Sequence, residues 1–115
     1  TRELTSDHRQ MTSVASYIET HHAERLTVEK MAEVAKCSPR HFQRVFKKVF
    51  KTSALEHLMR TRIRHAASDL VETRESLSTI ALECGFYDQA HFSNQFKRLR
   101  GVTPSAYRKQ FRGLP

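Results

Sequence analysis

Residues 80–108 read IALECGFYDQAHFSNQFKRLRGVTPSAYR, and the fold follows from the punctuation between its apolar positions. Ile80, Ala81 and Cys84 are spaced as one stripe of a short helix. Gly85 stands where a helix end turns left-handed, and Phe86 follows as the apolar residue that closes a Schellman-type terminus. Asp88 is a good N-cap for a second helix whose buried side is Phe92, Phe96 and Leu99. Gly101 ends that helix. Thr103-Pro104 then opens a third, with proline at the first position, where a missing N–H costs nothing, and Tyr107 and Phe111 for packing.

The same arrangement occurs once more, 50 residues upstream. At that offset His41-Phe42 falls on His91-Phe92 and Phe46-Lys47 on Phe96-Lys97. Ser53 meets Thr103, His57 meets Tyr107 and Arg62 meets Arg112. Further upstream the offset drops to 49, so that Ala32 meets Ala81 and the second copy carries one extra residue in its turn. In the first copy Thr27 caps a helix with Val28, Met31, Ala32 and Ala35 along one stripe, and Lys36-Cys37 make the turn. Ser38 caps the next helix with Pro39 at its first position, and Phe42, Val45, Phe46 and Val49 recur at i, i+3, i+4 and i+7. The corresponding cap in the second copy falls at Ser76 or Ser78.

Between the copies nothing breaks a helix from about Ser53 to Glu72, with Leu55, Leu58, Met59, Ile63, Ala66, Ala67 and Leu70 along its faces. Ahead of the first copy Met11, Val14, Ala15 and Ile18 mark another helix, whereas residues 1–8 are polar and without periodicity. The expected architecture is all-α, with about seven helices forming two helix-turn-helix units joined by a long linker helix. Its divisions are a linker remnant at 1–8, a first unit at 9–52, the linker helix at 53–72 and a second unit at 73–115.

The 115 residues carry a net charge of +8, and its distribution is more informative than its total. Residues 38–64 hold eight Lys/Arg against Glu56 alone, a net +7; residues 86–112 hold six against Asp88 alone, a net +5. The rest of the chain sums to −4. Ordinary solvated surfaces intersperse the two signs, so acids have been excluded from the equivalent parts of the two copies. That is the footprint of a polyanion bound at two places.

Other chemistries find little support. Cys37 and Cys84 are too few for a disulfide framework and form no C-x-x-C pair. Of the seven histidines, His21-His22 and His57/His65 are the near clusters, and no set has zinc-finger spacing, so neither metal nor cofactor is expected. No apolar run approaches the ~20 residues that span a bilayer. The reading is a soluble, cytoplasmic protein that is not an enzyme and does not use a membrane.

A helix in the major groove must bury one face and offer long hydrogen-bonding side chains on the other. Removing the buried positions of the first copy's second helix leaves Arg40, Gln43, Arg44 and Lys47. Arg forks onto guanine O6/N7 and Gln onto adenine N6/N7. The same subtraction in the second copy leaves Gln89, Ala90, Ser93, Asn94 and Lys97, a more neutral face suited to hydrogen-bond and shape readout. Lys48, Arg60, Arg98 and Arg100 are assigned to phosphates, which add affinity without sequence information. Arg62 and Arg112 fit either a DNA role or an ion pair, with Glu56 or Asp69 as acids within reach. The linker helix, at ~1.5 Å per residue, is ~30 Å long, close to the ~34 Å between successive major-groove faces. It therefore fits double-stranded DNA read on two successive turns at an asymmetric site.

The pattern resembles the AraC/XylS family of bacterial transcription regulators. The likeness is carried by Ile80-Ala81, Gly85-Phe86, His91-Phe92, Phe96-Lys97, Gly101, Thr103-Pro104 and Tyr107-Arg108, and in the first copy by Ala32, Ser38, Phe42, Arg44, Phe46, Lys47, Arg62, Ala66 and Leu70. It departs at Lys51 and Ala54, where the family often has Gly and Pro, and at His57 and His91, where an aromatic is usual. The resemblance implies a DNA-binding domain of a regulator, of the activator kind, that works with RNA polymerase and is joined to an N-terminal effector or dimerisation domain. The alternative is the DNA-binding module of an alkyl-transfer repair enzyme, which needs a reactive cysteine; neither Cys37 nor Cys84 has a flanking His/Glu constellation to activate it.

Overall fold

Caps and left-handed stops divide the described residues into seven helices, α1 (Arg2–His21), α2 (Val28–Ala35), α3 (Pro39–Phe50), α4 (Ala54–Glu72), α5 (Leu77–Glu83), α6 (Gln89–Arg100) and α7 (Pro104–Arg112). The computed structural model describes residues 2–112, and no strand occurs among them. Hydroxyl and carboxylate oxygens satisfy the orphan amides at the helix starts: Thr27 accepts from Lys30, Ser38 from His41, Ser76 from Thr79 and Asp88 from His91. Ser53 does the same for α4, its Oγ 3.1 Å from the Glu56 amide, and Thr103 for α7, 3.1 Å from that of Ala106.

The stops repeat as closely as the caps. After α5 the Gly85 amide donates to Leu82 and the Phe86 amide to Ala81, the paired bonds of a Schellman motif, with Gly85 at φ 94°. After α2 the amides of Lys36 and Cys37 make the same pair to Glu33 and Ala32, with Lys36 at φ 60°. From there Ser38 caps at once in the first copy, whereas Tyr87 intervenes before Asp88 in the second. The extra residue of the second copy is therefore Tyr87.

The chain forms two compact units, Thr1–Leu58 and Met59–Pro115, and the division falls inside α4. In the first unit Met11, Val14 and Ile18 of α1 cover Met31, Ala32 and Ala35 of α2 and Phe42, Val45 and Phe46 of α3, with Ala54 and Leu58 from the start of α4. The Gln10 amide donates to the Ala35 carbonyl, fastening α1 to the end of α2. In the second unit Ile63, Ala66, Ala67 and Leu70 of α4 pack on Ile80 and Ala81 of α5, on Cys84 and Phe86, and on Phe92 and Phe96 of α6. Each fully buried Phe contributes roughly 1.5–3 kcal/mol by leaving water. The ring geometry also repeats: Phe46 meets His57 edge-on at 5.4 Å, and Phe96 meets Tyr107 edge-on at 5.2 Å.

Three expectations change. Residues 2–8, read as part of a linker remnant, belong to α1, where Ser6, His8 and Arg9 are exposed. Of the apolar residues placed along α4, Leu55 is exposed, because the core side of the helix in the first unit is taken by Ala54 and Leu58. Arg112 makes a backbone contact instead of an ion pair: its Nη1 donates to the Thr73 carbonyl at 2.8 Å. Arg108 donates beside it, from Nε to the Leu70 carbonyl at 2.9 Å and from Nη2 to Thr73 at 3.3 Å. Two guanidiniums of α7 thus cap the C-terminal end of α4, where carbonyls are left over and the helix dipole favours cations.

Candidate nucleic-acid interface

The second helix of each unit is positioned by its cap and by a pair of phenylalanines, Phe42/Phe46 on α3 and Phe92/Phe96 on α6, all fully buried. With one side fixed, the other faces solvent. On α3 the outward side carries Arg40, Gln43, Arg44 and Lys47, all exposed. On α6 it carries Gln89, Ala90, Asn94 and Lys97, exposed, and Ser93, half-buried. At about 100° per residue Arg40, Arg44, Ala90 and Asn94 lie ~120–160° from Phe46 or Phe96, Lys47 and Lys97 ~100°, and Gln43 and Ser93 ~60° on the same flank, while Gln89 stands in the first turn of α6. Each of the two outward faces belongs to the second helix of a helix-turn-helix unit, the element that carries recognition side chains in this motif.

Local contacts set the posture of individual side chains. The Arg44 guanidinium donates from Nη2 to His41 Nδ1 at 3.1 Å, which orients it along α3. The equivalent His91 is used otherwise, its Nδ1 accepting from the Tyr87 amide at 3.4 Å. Lys48 is exposed one position beyond Lys47. Arg98 donates to Gln95 at 2.9 Å, and Arg100 lies over the Tyr107 ring at 5.9 Å. Arg60, Arg98 and Arg100 are brought together around one cleft of the second unit, along with Arg64, Ile63 and Leu99.

One residue escaped the sequence reading. Tyr87 is 86% exposed directly before the cap of α6; the change of offset from 49 to 50 was its signal. Arg64, one of the linker-helix arginines read as facing phosphate, joins the cleft beside Arg60.

Both thiols sit where the neutral form is favoured. Burial raises the pKa of Cys37. Burial first, and then the neighbouring Asp69 carboxylate, push Cys84 up to about 12, and its Sγ lies 3.6 Å from Asp69 Oδ2. A reactive cysteine needs the opposite environment, one that favours thiolate.

Two tandem helix-turn-helix units of equivalent internal geometry define a DNA-binding type of domain. A family model described as a helix-turn-helix domain matches residues 31–110, and the chain belongs to that family, the AraC/XylS type. Among curated relatives, the bifunctional transcriptional activator/DNA repair enzyme AdaA of Bacillus subtilis is 29% identical over 109 residues, covering 95% of this chain and 52% of that protein. The HTH-type transcriptional regulator ArgR of Pseudomonas aeruginosa is 32% identical over 110 residues, covering 96% of this chain and 33% of the regulator. The chain thus spans between a third and about half the length of these two relatives. Among solved structures, the DNA-binding domain of the global transcriptional factor AdpA in complex with a target DNA superimposes with a TM-score of 0.86 at 29% identity, covering 90% of this chain and 93% of that one.

Proposed function

We propose that this chain is the sequence-specific DNA-binding domain of a transcription regulator of the activator kind. The observation that carries the proposal is the pair of outward polar faces on equivalent helices, α3 and α6, each on a helix held by two buried phenylalanines. Arg40, Gln43, Arg44 and Lys47 read base edges in one major groove, with Arg44 suited to a guanine and Gln43 to an adenine. Gln89, Ala90, Ser93, Asn94 and Lys97 read the next groove with fewer charges, by hydrogen bonds and by shape. Lys48 and Tyr87 contact the backbone that flanks these grooves. The 19 residues of α4 correspond to ~28 Å of helix, comparable to the ~34 Å repeat of the groove. A domain of this kind works beside an N-terminal effector or dimerisation segment and with RNA polymerase.

The repair-enzyme reading draws on AdaA, whose match to this chain covers 52% of that protein. It is disfavoured for these residues because both thiols are held toward their neutral form.

Selection of bound duplexes from a random library tests the proposal. The expected product is an asymmetric site with two specified blocks centred about one helical turn, ~10 bp, apart. Recovery of unrelated sequences, or of a palindrome, would rule it out.

A further inference from the structure

His41 and His91 are the third residues of α3 and α6 and correspond between the two copies, yet their rings are held differently. In the second unit His91 Nδ1 accepts from the Tyr87 amide at 3.4 Å, and the ring meets that of Phe86 edge-on at 5.6 Å. Both contacts come from the turn. The turn of the first unit offers neither. Four residues ahead of His41 stands Cys37, whose amide is already committed to the Ala32 carbonyl at 3.1 Å. Cys37 also follows the left-handed stop where Phe86 does, and it brings no ring. The His41 imidazole is taken up by its own helix instead: its Nδ1 accepts from Arg44 Nη2 at 3.1 Å. Asn94 stands where Arg44 does in the other copy, so the second unit has no counterpart of this pair.

The bond has a defined polarity. A guanidinium carries only donors, so Nδ1 is the acceptor and the ring proton sits on Nε2. Residues at i and i+3 are neighbours on a helix surface. At about 100° per residue His41 and Arg44 are ~60° apart, and they lie ~140° and ~160° from Phe46. One N–H of Nη2 is used by the imidazole, and the remaining N–H groups still include a complete two-pronged edge for guanine O6/N7. A free arginine must be ordered on binding, which weakens affinity by roughly three- to tenfold. It can also swing to a phosphate when the base is wrong. A guanidinium held by a neighbour loses less on binding and has no such escape, and docking takes the pair out of water, where its hydrogen bond strengthens.

We infer that His41 is a positioning residue for base reading by the first unit: it holds the Arg44 guanidinium in one posture and so sharpens preference at the base pair that Arg44 reads. This rests on α3 as a reading helix. The two units then differ in how their outward side chains are held as well as in charge, and the difference originates in the single extra residue, Tyr87, of the second turn.

The role is tested by binding of the 115-residue chain to selected duplexes and to their variants at the base pair whose preference Arg44→Ala relaxes. His41→Ala should reduce discrimination there by roughly three- to tenfold and leave preferences in the second block unchanged. In the Arg44→Ala background the same substitution should have no further effect, as expected of two residues that act as a unit. His41→Gln offers an amide oxygen and should return discrimination to within about twofold of the parent. His41→Leu keeps bulk but has no acceptor, and should match His41→Ala. The ring is exposed and the cap on α3 uses only the His41 backbone amide, so these variants keep the fold. Uniform loss over all base pairs, loss that persists without Arg44, or a Gln variant as poor as Ala would overturn the inference while leaving α3 as the reader. An Arg44→Ala variant with undiminished discrimination at every base pair would remove the reading role of Arg44 itself, and the inference with it.

Discussion

Lys36 and Lys51 occupy left-handed backbone at φ 60° and 62°, whereas Gly85 and Gly101 take the equivalent stops in the second unit. A side chain in that region costs ~1–2 kcal/mol, and glycine recovers it at an unfolded-chain cost of ~0.5–1 kcal/mol. Lys51→Gly should therefore raise stability by ~0.5–1 kcal/mol, read as a higher denaturant midpoint with an unchanged slope. A lower midpoint would mean that the lysine stem contributes packing worth more than the strain. Functional residues divide at the same scale. Arg44, held by His41 at 3.1 Å, should be a base reader, so that Arg44→Ala relaxes preference in one half of the site at a cost of ~1–3 kcal/mol. Lys48→Ala should weaken all sequences alike. Binding profiles of the two variants across a site library must differ in shape; parallel profiles would contradict the division of roles.

At the scale of elements, the end of α4 depends on α7. Its last carbonyls receive Arg108 at Leu70 and at Thr73, and Arg112 at Thr73. Arg108→Ala leaves the Leu70 carbonyl without this donor and the Thr73 carbonyl with Arg112 alone, and the expected loss is ~1–3 kcal/mol. Arg108→Lys should recover little of it, since an ammonium lacks the planar fork that reaches both oxygens. Denaturant melts of these variants beside exposed Lys109→Ala provide the check: equal losses in all three would mean that the cap on α4 carries no energy. The periodic elements themselves were legible in the sequence because their signals are local. Thr27, Ser38, Ser76, Asp88, Gly85 and Gly101 act on their own helix ends. The Arg108 and Arg112 contacts were not legible: their partners are carbonyls 35 to 39 residues away, and a backbone acceptor leaves no side-chain signature.

For the molecule as a whole, charge is the quantity that matters to its partner. The +7 and +5 segments should make affinity for a selected duplex fall steeply with salt, as bound cations release counterions. Removing one true phosphate contact, Lys48→Ala, should reduce the log–log slope by ~0.9. A slope near zero for the parent chain would exclude binding through both basic segments.

By itself the sequence determined the all-α class, a set of about seven helices, most of their caps and the glycine stops, the duplication at 50 residues and the two outward faces. All of these rest on spacing along one helix or on identity between copies. Tertiary structure alone decided three further matters. It placed the division between units within α4, because Leu58 packs with one core and Ile63 with the other. It set the thiol of Cys84 against Asp69, since a pKa depends on neighbours brought in by folding. And it gathered Arg60, Arg64, Arg98 and Arg100 around one cleft. Along the chain those arginines form two separate pairs, which helix geometry presents as ordinary exposed faces; only the packing of α4 with α6 turns two faces into one concave site.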